Sequence, residues 1–159
     1  MWRRSILRSF FAHRVTEELP REAGQALDPR FRGSLQLRHV DTGSCNGCEL
    51  EIASAMAPHY DAGRYGVRLV ASPRHGDGLL VTGVVTKNMS VPLAKTLEAT
   101  PKPRIVVACG DCAINGGVFA GAYGIEANLD ELVEVDVRIP GCPPHPAAIV
   151  GALRGITGR

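Results

Sequence analysis

From Ser34 onward the chain alternates short apolar runs with segments of helical periodicity. Leu35 to Val40 reads as a strand, and Glu49 to Ala57 as a helix stopped by Pro58. Val67 to Ala71 and Leu79 to Thr82 read as two further strands, and Val85 to Thr100 as a helix. Arg104 to Ala108 is a short apolar strand, Leu132 to Ile139 another, and Pro146 to Arg154 a closing helix. The glycine-rich stretch from Gly121 to Asn128 carries no clear period. This βα alternation predicts an α/β fold with a mostly parallel sheet and helices on both faces, because parallel strands require crossover connections and those are usually helical.

Upstream the pattern changes. Helical projection of residues 2 to 11 gathers Trp2, Ile6, Leu7, Phe10 and Phe11 on one broad side, with Arg4 and Arg8 off it. Arg3 and Arg14 intrude on that side, so the amphipathicity is incomplete. Such a segment suits a membrane surface, a partner, or the chain's own core. Residues 20 to 33 are polar and interrupted and read as a linker, which divides the chain into an arm over 1–33 and a single α/β domain over 34–159.

Composition agrees with one domain. At 159 residues and 17.0 kDa, with 45% hydrophobic residues, the chain can bury one core but hardly two. The formal charge of +2 is too small to imply a nucleic-acid partner. Its distribution is uneven: residues 1 to 40 hold eight Lys or Arg against four acids, so the basic excess belongs to the arm. No apolar stretch approaches the roughly 20 residues of a membrane-spanning helix, so membrane contact is expected to be peripheral.

The chemistry lies in five cysteines: Cys45 and Cys48, Cys109 and Cys112, and Cys142 between Gly141 and Pro143. An odd count, with no secretory signal pattern at the amino terminus, argues against a disulfide framework and for a reducing compartment. On the predicted fold each cysteine group follows a strand. Ligands of open α/β sheets bind beyond the carboxyl ends of the strands, so three loops distant in sequence are expected to meet at one edge. Zinc ribbons also use two Cys-x-x-Cys knuckles, but about 15 to 20 residues apart, and here sixty residues separate Cys48 from Cys109. Thiolate number, placement and the Cys-Pro ending favour an iron-sulfur cluster, and a 4Fe-4S cubane takes four thiolates. Cys45, Cys48 and Cys142 have no local competitor; spacing alone leaves Cys109 and Cys112 competing for one place.

Four stretches carry a family resemblance: Asp41 to Ile52 around Cys45 and Cys48, Ala71 to Asp77 with Leu80 to Gly83, Gly110 to Gly117 around Cys112, and Ile139 to Pro144 around Cys142. Together they cover the chain from about Val40 to about Gly155, in one order. In them the chain resembles the small, electron-transferring subunit of membrane-associated group 4 nickel-iron hydrogenases, and their relative, the cluster-carrying B subunit of respiratory complex I.

The resemblance implies a flavodoxin-like domain that holds one 4Fe-4S cluster on Cys45, Cys48, Cys112 and Cys142, with Cys109 as a buried bystander. It implies an electron relay to or from the nickel-iron site of a partner large subunit, with no complete active site in this chain alone. Further implied partners are a ferredoxin-like or other iron-sulfur subunit and integral membrane subunits, at the cytoplasmic side of the cell membrane. Complex I subunits of this type have adjacent cysteines and pass electrons to quinone; the two-residue spacing between Cys45 and Cys48 sides with the hydrogenases. A small subunit with several clusters is excluded, because five cysteines cannot supply twelve thiolates.

Other residues near the loops carry weaker expectations. Arg74 and His75 follow a strand and are expected at the cysteine edge, as is His145. Glu49 and Glu51 open a helix, where carboxylates suit the dipole or serve proton transfer. Gly43, Gly47, Gly110 and Gly141 permit close approach of backbone amides to sulfur.

Overall fold

The computed structural model describes residues 29–159. The amphipathic arm, with Trp2, Ile6, Leu7, Phe10 and Phe11, lies outside the described residues. The main sheet contains β1 (Leu35–Asp41), β2 (Val67–Leu69), β3 (Gly78–Thr82), β5 (Ile105–Cys109) and β7 (Val137–Ile139). They pair in the order β2-β1-β3-β5-β7, every pair parallel. Counting only these strands the order is 2-1-3-4-5, the flavodoxin-like winding.

Strands β3 and β5 are buried along their whole length, as befits the centre of a sheet covered on both faces. Period-2 alternation along β5 assigns its side chains to two cores. Ile105, Val107 and Cys109 join Leu35, Leu37 and Leu80 beneath α1 (Gly47–Met56) and α5 (Pro146–Thr157), which contribute Ile52, Ile149, Val150 and Leu153. Val106 and Ala108 join Leu79, Val81 and Val40 on the other face. There α2 (Ser90–Ala99), α3 (Asp111–Asn115) and α4 (Leu129–Leu132) supply Leu93, Ala113 and Leu129. Phe31, in a short 3-10 turn over Pro29–Phe31, is also buried in the α1/α5 core despite its polar neighbours.

Three expectations are corrected. The helix read from Val85 begins only at Ser90; Val85 and Thr86 instead form β4, antiparallel to β6 (Ile125–Ala127) in the stretch left without a period. The β-branched residues at positions 84 to 86 win locally because Val85 is fully buried in that small ribbon. The strand read from Leu132 is reduced to Val137–Ile139, since Leu132 ends α4, started by a capping box between Asn128 and Glu131. Asp136 then enters the sheet through its side chain: its Oδ2 accepts the Val106 amide at 2.7 Å. Finally, the chain after β2 does not rise to the cysteine edge. The three-residue β2 ends level with Leu37, and Asp77 already bonds Gln36 at the start of β1, its Oδ2 accepting the Gln36 amide at 2.7 Å. Arg74 accordingly sits beside Glu98 and Pro101 at the carboxyl end of α2.

Candidate functional site

The cysteines occupy the connections that leave the carboxyl ends of β1, β5 and β7. After β1, Asp41 Oδ1 accepts the amides of Gly43 at 2.9 Å and Ser44 at 2.8 Å, and Ser44 Oγ accepts the Asn46 amide at 3.1 Å. Asn46, in a left-handed conformation, then starts α1, placing Cys45 exposed before the helix and Cys48 buried in its first turn. Buried Thr42 anchors this loop from below. Its hydroxyl donates to the Thr82 carbonyl at 2.9 Å, and its own carbonyl accepts the Thr86 hydroxyl at 2.9 Å.

After β5, Gly110 adopts φ 92° and ψ 153°, a region essentially reserved for glycine. It turns the chain into α3, whose first turn carries buried Cys112. After β7, Gly141 leads into exposed Cys142. Asp111 stitches these two loops together: its amide donates to the Gly141 carbonyl at 2.9 Å, and its Oδ1 accepts the Gly141 amide at 2.8 Å.

Contact between the loops is measured by what a side chain on each glycine would meet. A Cβ on Gly110 would lie 2.5 Å from Cys48 Sγ, so the β1 and β5 loops touch. One on Gly47 would lie 3.5 Å from Cys45 Sγ and 3.8 Å from Pro143, so the β1 and β7 loops touch as well. The loops from three strands therefore converge, as their placement on strand exits predicted.

The sulfurs are not equivalent. A hydrogen bond from Cys109 holds the Cys48 thiol below its usual range against the effect of burial, and the start of α1 favours a thiolate there in the same sense. The same bond and burial push Cys109 far above the usual range. Burial raises Cys112, as do the neighbouring sulfurs of Cys142, Cys48 and Cys45, while the Val118 amide bonded to its sulfur opposes the rise. Cys112 thus senses the three other cysteines of the expected set.

Among the described residues no three His, Cys, Asp or Glu side chains converge closely enough to hold one metal ion. A mononuclear tetrahedral site needs donors within about 2.0–2.3 Å of one point. A cluster that takes one thiolate on each iron needs sulfurs spread around a larger body. Soft thiolates on three tethered loops, with backbone kept close to Cys48 and Cys112 by Gly110 and Gly117, fit the second arrangement.

The remaining candidates separate. His145 caps α5, its Nδ1 accepting the Ala147 amide at 3.2 Å. Glu49 has both carboxylate oxygens buried without a hydrogen-bond partner, with His39 Nε2 3.7 Å from Oε1. His39 Nε2 also meets Thr82 Oγ1 at 2.9 Å. This pair was not legible in the sequence, since only the β1/β3 register brings His39 beside Leu80 and near Thr82. Glu51 is half-buried on α1.

Burial holds His39 below its ordinary value of 6.5, with Glu49 and Asp41 pulling the other way. The unfolded chain therefore takes up this proton first as pH falls. The sign follows directly: stability is unaffected by His39 well above pH 6.5 and decreases as pH drops through that value. The urea midpoint should fall between about pH 7.5 and about pH 5.5 more steeply in the unsubstituted protein than in His39→Gln. Equal slopes would remove His39 from the acid response.

The chain is thus an α/β domain of flavodoxin-like winding that gathers three cysteine loops at one sheet edge. The chain belongs to the family described as NADH ubiquinone oxidoreductase, 20 Kd subunit, whose family model matches residues 45–156. It is 52% identical to the probable membrane-bound hydrogenase subunit mbhJ of Pyrococcus furiosus, over 70% of this chain and 67% of that one. It is 44% identical to formate hydrogenlyase subunit 7 of Escherichia coli over 75% of this chain, and spans about half, 47%, of that protein's length. Among solved structures, a chain of the membrane-bound sulfane sulfur reductase, an archaeal respiratory membrane complex, superposes with a TM-score of 0.70 at 35% identity. That match covers 81% of this chain and 71% of the other. Two of these relatives, the hydrogenase subunit and the sulfane sulfur reductase, are named as belonging to membrane-bound complexes. Among the described residues of this chain, no helix is long and apolar enough to cross a membrane.

Proposed function

We propose that this chain is the electron-transfer subunit of a membrane-associated hydrogenase-type complex, holding a single 4Fe-4S cluster on Cys45, Cys48, Cys112 and Cys142. When bound, such a cluster supplies reversible one-electron transfer. The observation that carries the reading is the convergence of the loops after β1, β5 and β7, with Cys112 close enough to feel the other three sulfurs. The protein's own contribution is positional. The start of α1 favours the Cys48 thiolate, the Val118 amide donates to Cys112, and Asp111 locks the Cys112 loop to the Cys142 loop.

The partners follow from the surface beside the site. Leu50, two residues beyond Cys48, is 62% exposed, and Val118, whose amide meets Cys112, is 78% exposed, with Phe119 next to it. Apolar side chains uncovered beside thiolates fit a face that a partner large subunit of the nickel-iron type buries. A second iron-sulfur subunit and integral membrane subunits complete the proposed assembly, with this chain peripheral on the cytoplasmic side. The part of the arm before Pro29 serves as an attachment, since Phe31 already packs into the α1/α5 core and the Gly33 amide donates to the Thr157 carbonyl at 2.8 Å.

The family's name favours a second reading, a complex I-like subunit passing electrons to quinone. The two-residue spacing of Cys45 and Cys48 stands against it.

Anaerobic purification followed by iron and sulfide analysis, with paramagnetic resonance of the reduced protein, tests the reading. About four irons per chain and a signal from a reduced cluster are expected. Stoichiometric zinc in place of iron would overturn it.

A further inference from the structure

Helix α2 leaves much of its apolar surface uncovered. Of its ten residues only Leu93 is buried; Leu97 is half-buried, and Val91 and Ala94 are exposed. Beside it α4 ends in Leu132, 44% exposed, and half-buried Val133 follows. Leu93, Ala94, Leu97, Leu132 and Val133 line one groove of about 390 Å³ between the two helices. Exposed Glu98 and Lys102 border it, and the Arg104 guanidinium there is held by the Leu97 and Thr100 carbonyls at 2.6 and 3.1 Å.

The course of the chain says what covers this groove. Phe31 packs in the α1/α5 core, yet Arg30, one residue earlier, lines a cavity with Leu97 and Val133, which pack against the opposite face of the sheet. That cavity runs into the groove, since Leu97, Lys102, Arg104 and Val133 line both. Upstream of β1 the chain therefore passes to the α2/α4 side, and the residues before Pro29 start beside the groove.

Those residues have the right pattern and length. Over residues 2–11, outside the described residues, Trp2, Ile6, Leu7, Phe10 and Phe11 share one helical side. Such a helix is about 15 Å long, as is α2 with the same number of residues. Residues 12–28 can reach up to about 55 Å when extended, so the connection does not limit the approach. A short tether also keeps the segment at roughly millimolar effective concentration, which favours it over a second copy at micromolar concentration. Charge favours the groove over lipid. Arg3 and Arg14 intrude on the apolar side, where a charge is costly unless paired. Exposed Glu98 at the groove and exposed Glu134 at the adjoining cavity supply carboxylates that hydrocarbon lacks.

We propose that residues 2–11 fold back as a helix into the groove between α2 and α4, covering Leu97, Leu132 and Val133 with the apolar side of the arm. Arg4 and Arg8, off that side, then face outward and remain available for attachment to the assembly. Docking of the arm does not depend on the cluster, so its failure would leave the electron-transfer assignment standing.

Trp2 is the only tryptophan of the chain, so its fluorescence reports the arm directly. In the full chain, isolated anaerobically and held at low micromolar concentration, Trp2 should emit at shorter wavelength than in the urea-unfolded chain. It should also resist acrylamide quenching, and dilution should change neither property. Leu132→Glu should shift docking at least about tenfold toward the open arm, the scale of one buried leucine, and move the emission toward the unfolded position. Far-ultraviolet circular dichroism should stay unchanged. Ala94→Glu, at an exposed position of the same groove, should act alike and carries the comparison if Leu132→Glu does not fold. Leu69→Glu is the control: Leu69 is 40% exposed in a separate groove that Met89, Pro92 and Thr96 line, and its substitution should leave Trp2 unchanged. A Trp2 as quenchable in the folded chain as in urea would overturn docking. So would protection that survives in folded Leu132→Glu or Ala94→Glu, or that Leu69→Glu abolishes equally. Protection lost on dilution would assign the arm to a second copy, and protection gained only with vesicles of anionic phospholipid would assign it to a membrane; either result overturns the inference.

Discussion

Replacing Cys112 by alanine is expected to empty the chain of iron, from about four atoms to nearly none, while the backbone stays folded. Cys112 lies in the first turn of α3, and its sulfur is within electrostatic reach of Cys142, Cys48 and Cys45. No other thiol can take its place without unfolding. Cys109 is three residues away, but its side chain lies on the opposite side of β5 from Ala108, among Ile105 and Val107. Bringing it to the position of Cys112 would pull the end of β5 from a fully buried central strand and break its pairing with Thr82 and Ile139. The loss of one nearly buried sulfur should cost folding stability only about 1 kcal/mol, the ordinary scale of a single substitution. Iron and sulfide analysis beside circular dichroism separates the two effects. A Cys112→Ala protein that keeps its iron while Cys109→Ala loses it would reverse the ligand assignment.

Gly110→Ala should be nearly as damaging, for two reasons that add. The position has φ 92° and ψ 153°, where a non-glycine residue costs on the order of 1–3 kcal/mol. The new methyl would also sit 2.5 Å from Cys48 Sγ, so either the turn or the sulfur must move. The expected result is a urea midpoint lowered by the equivalent of about 3 kcal/mol and a sharp loss of iron. Gly47→Ala is the control. Its Cβ would meet Cys45 Sγ at 3.5 Å and Pro143 at 3.8 Å, both ordinary contacts, and alanine is a better helix former by about 1 kcal/mol. That variant should keep its iron and its stability. If Gly110→Ala unfolds at the same urea concentration as Gly47→Ala, the backbone at Gly110 is not constraining the site.

These contrasts also mark where local reading of the chain succeeds. The run from Ile105 to Cys109 is apolar at every position, which already identifies a strand buried on both faces. Its exit, together with the exits of β1 and β7, could be placed at one edge from the βα alternation alone. The ribbon of β4 and β6 was not legible in this way. Val85 and Thr86 sit directly before a good helical segment, and their partners Ala127 and Ile125 lie about forty residues downstream in a stretch without a period. Arg74 was misplaced for a related reason. Its strand is only three residues long, so the chain after it returns along the amino-terminal side instead of reaching the ligand edge.

By itself, then, the sequence determined the class of fold, the strand exits that carry the cysteines, and the softness of the donors, because periodicity and residue chemistry are local properties. Only the tertiary structure decided which sulfur meets which. The surroundings of Cys109 depend on the face of β5 from which its side chain leaves and on which helices cover that face. The partners there are sixty residues apart in the chain, and contacts of that kind follow from sheet order and register, which no local pattern encodes.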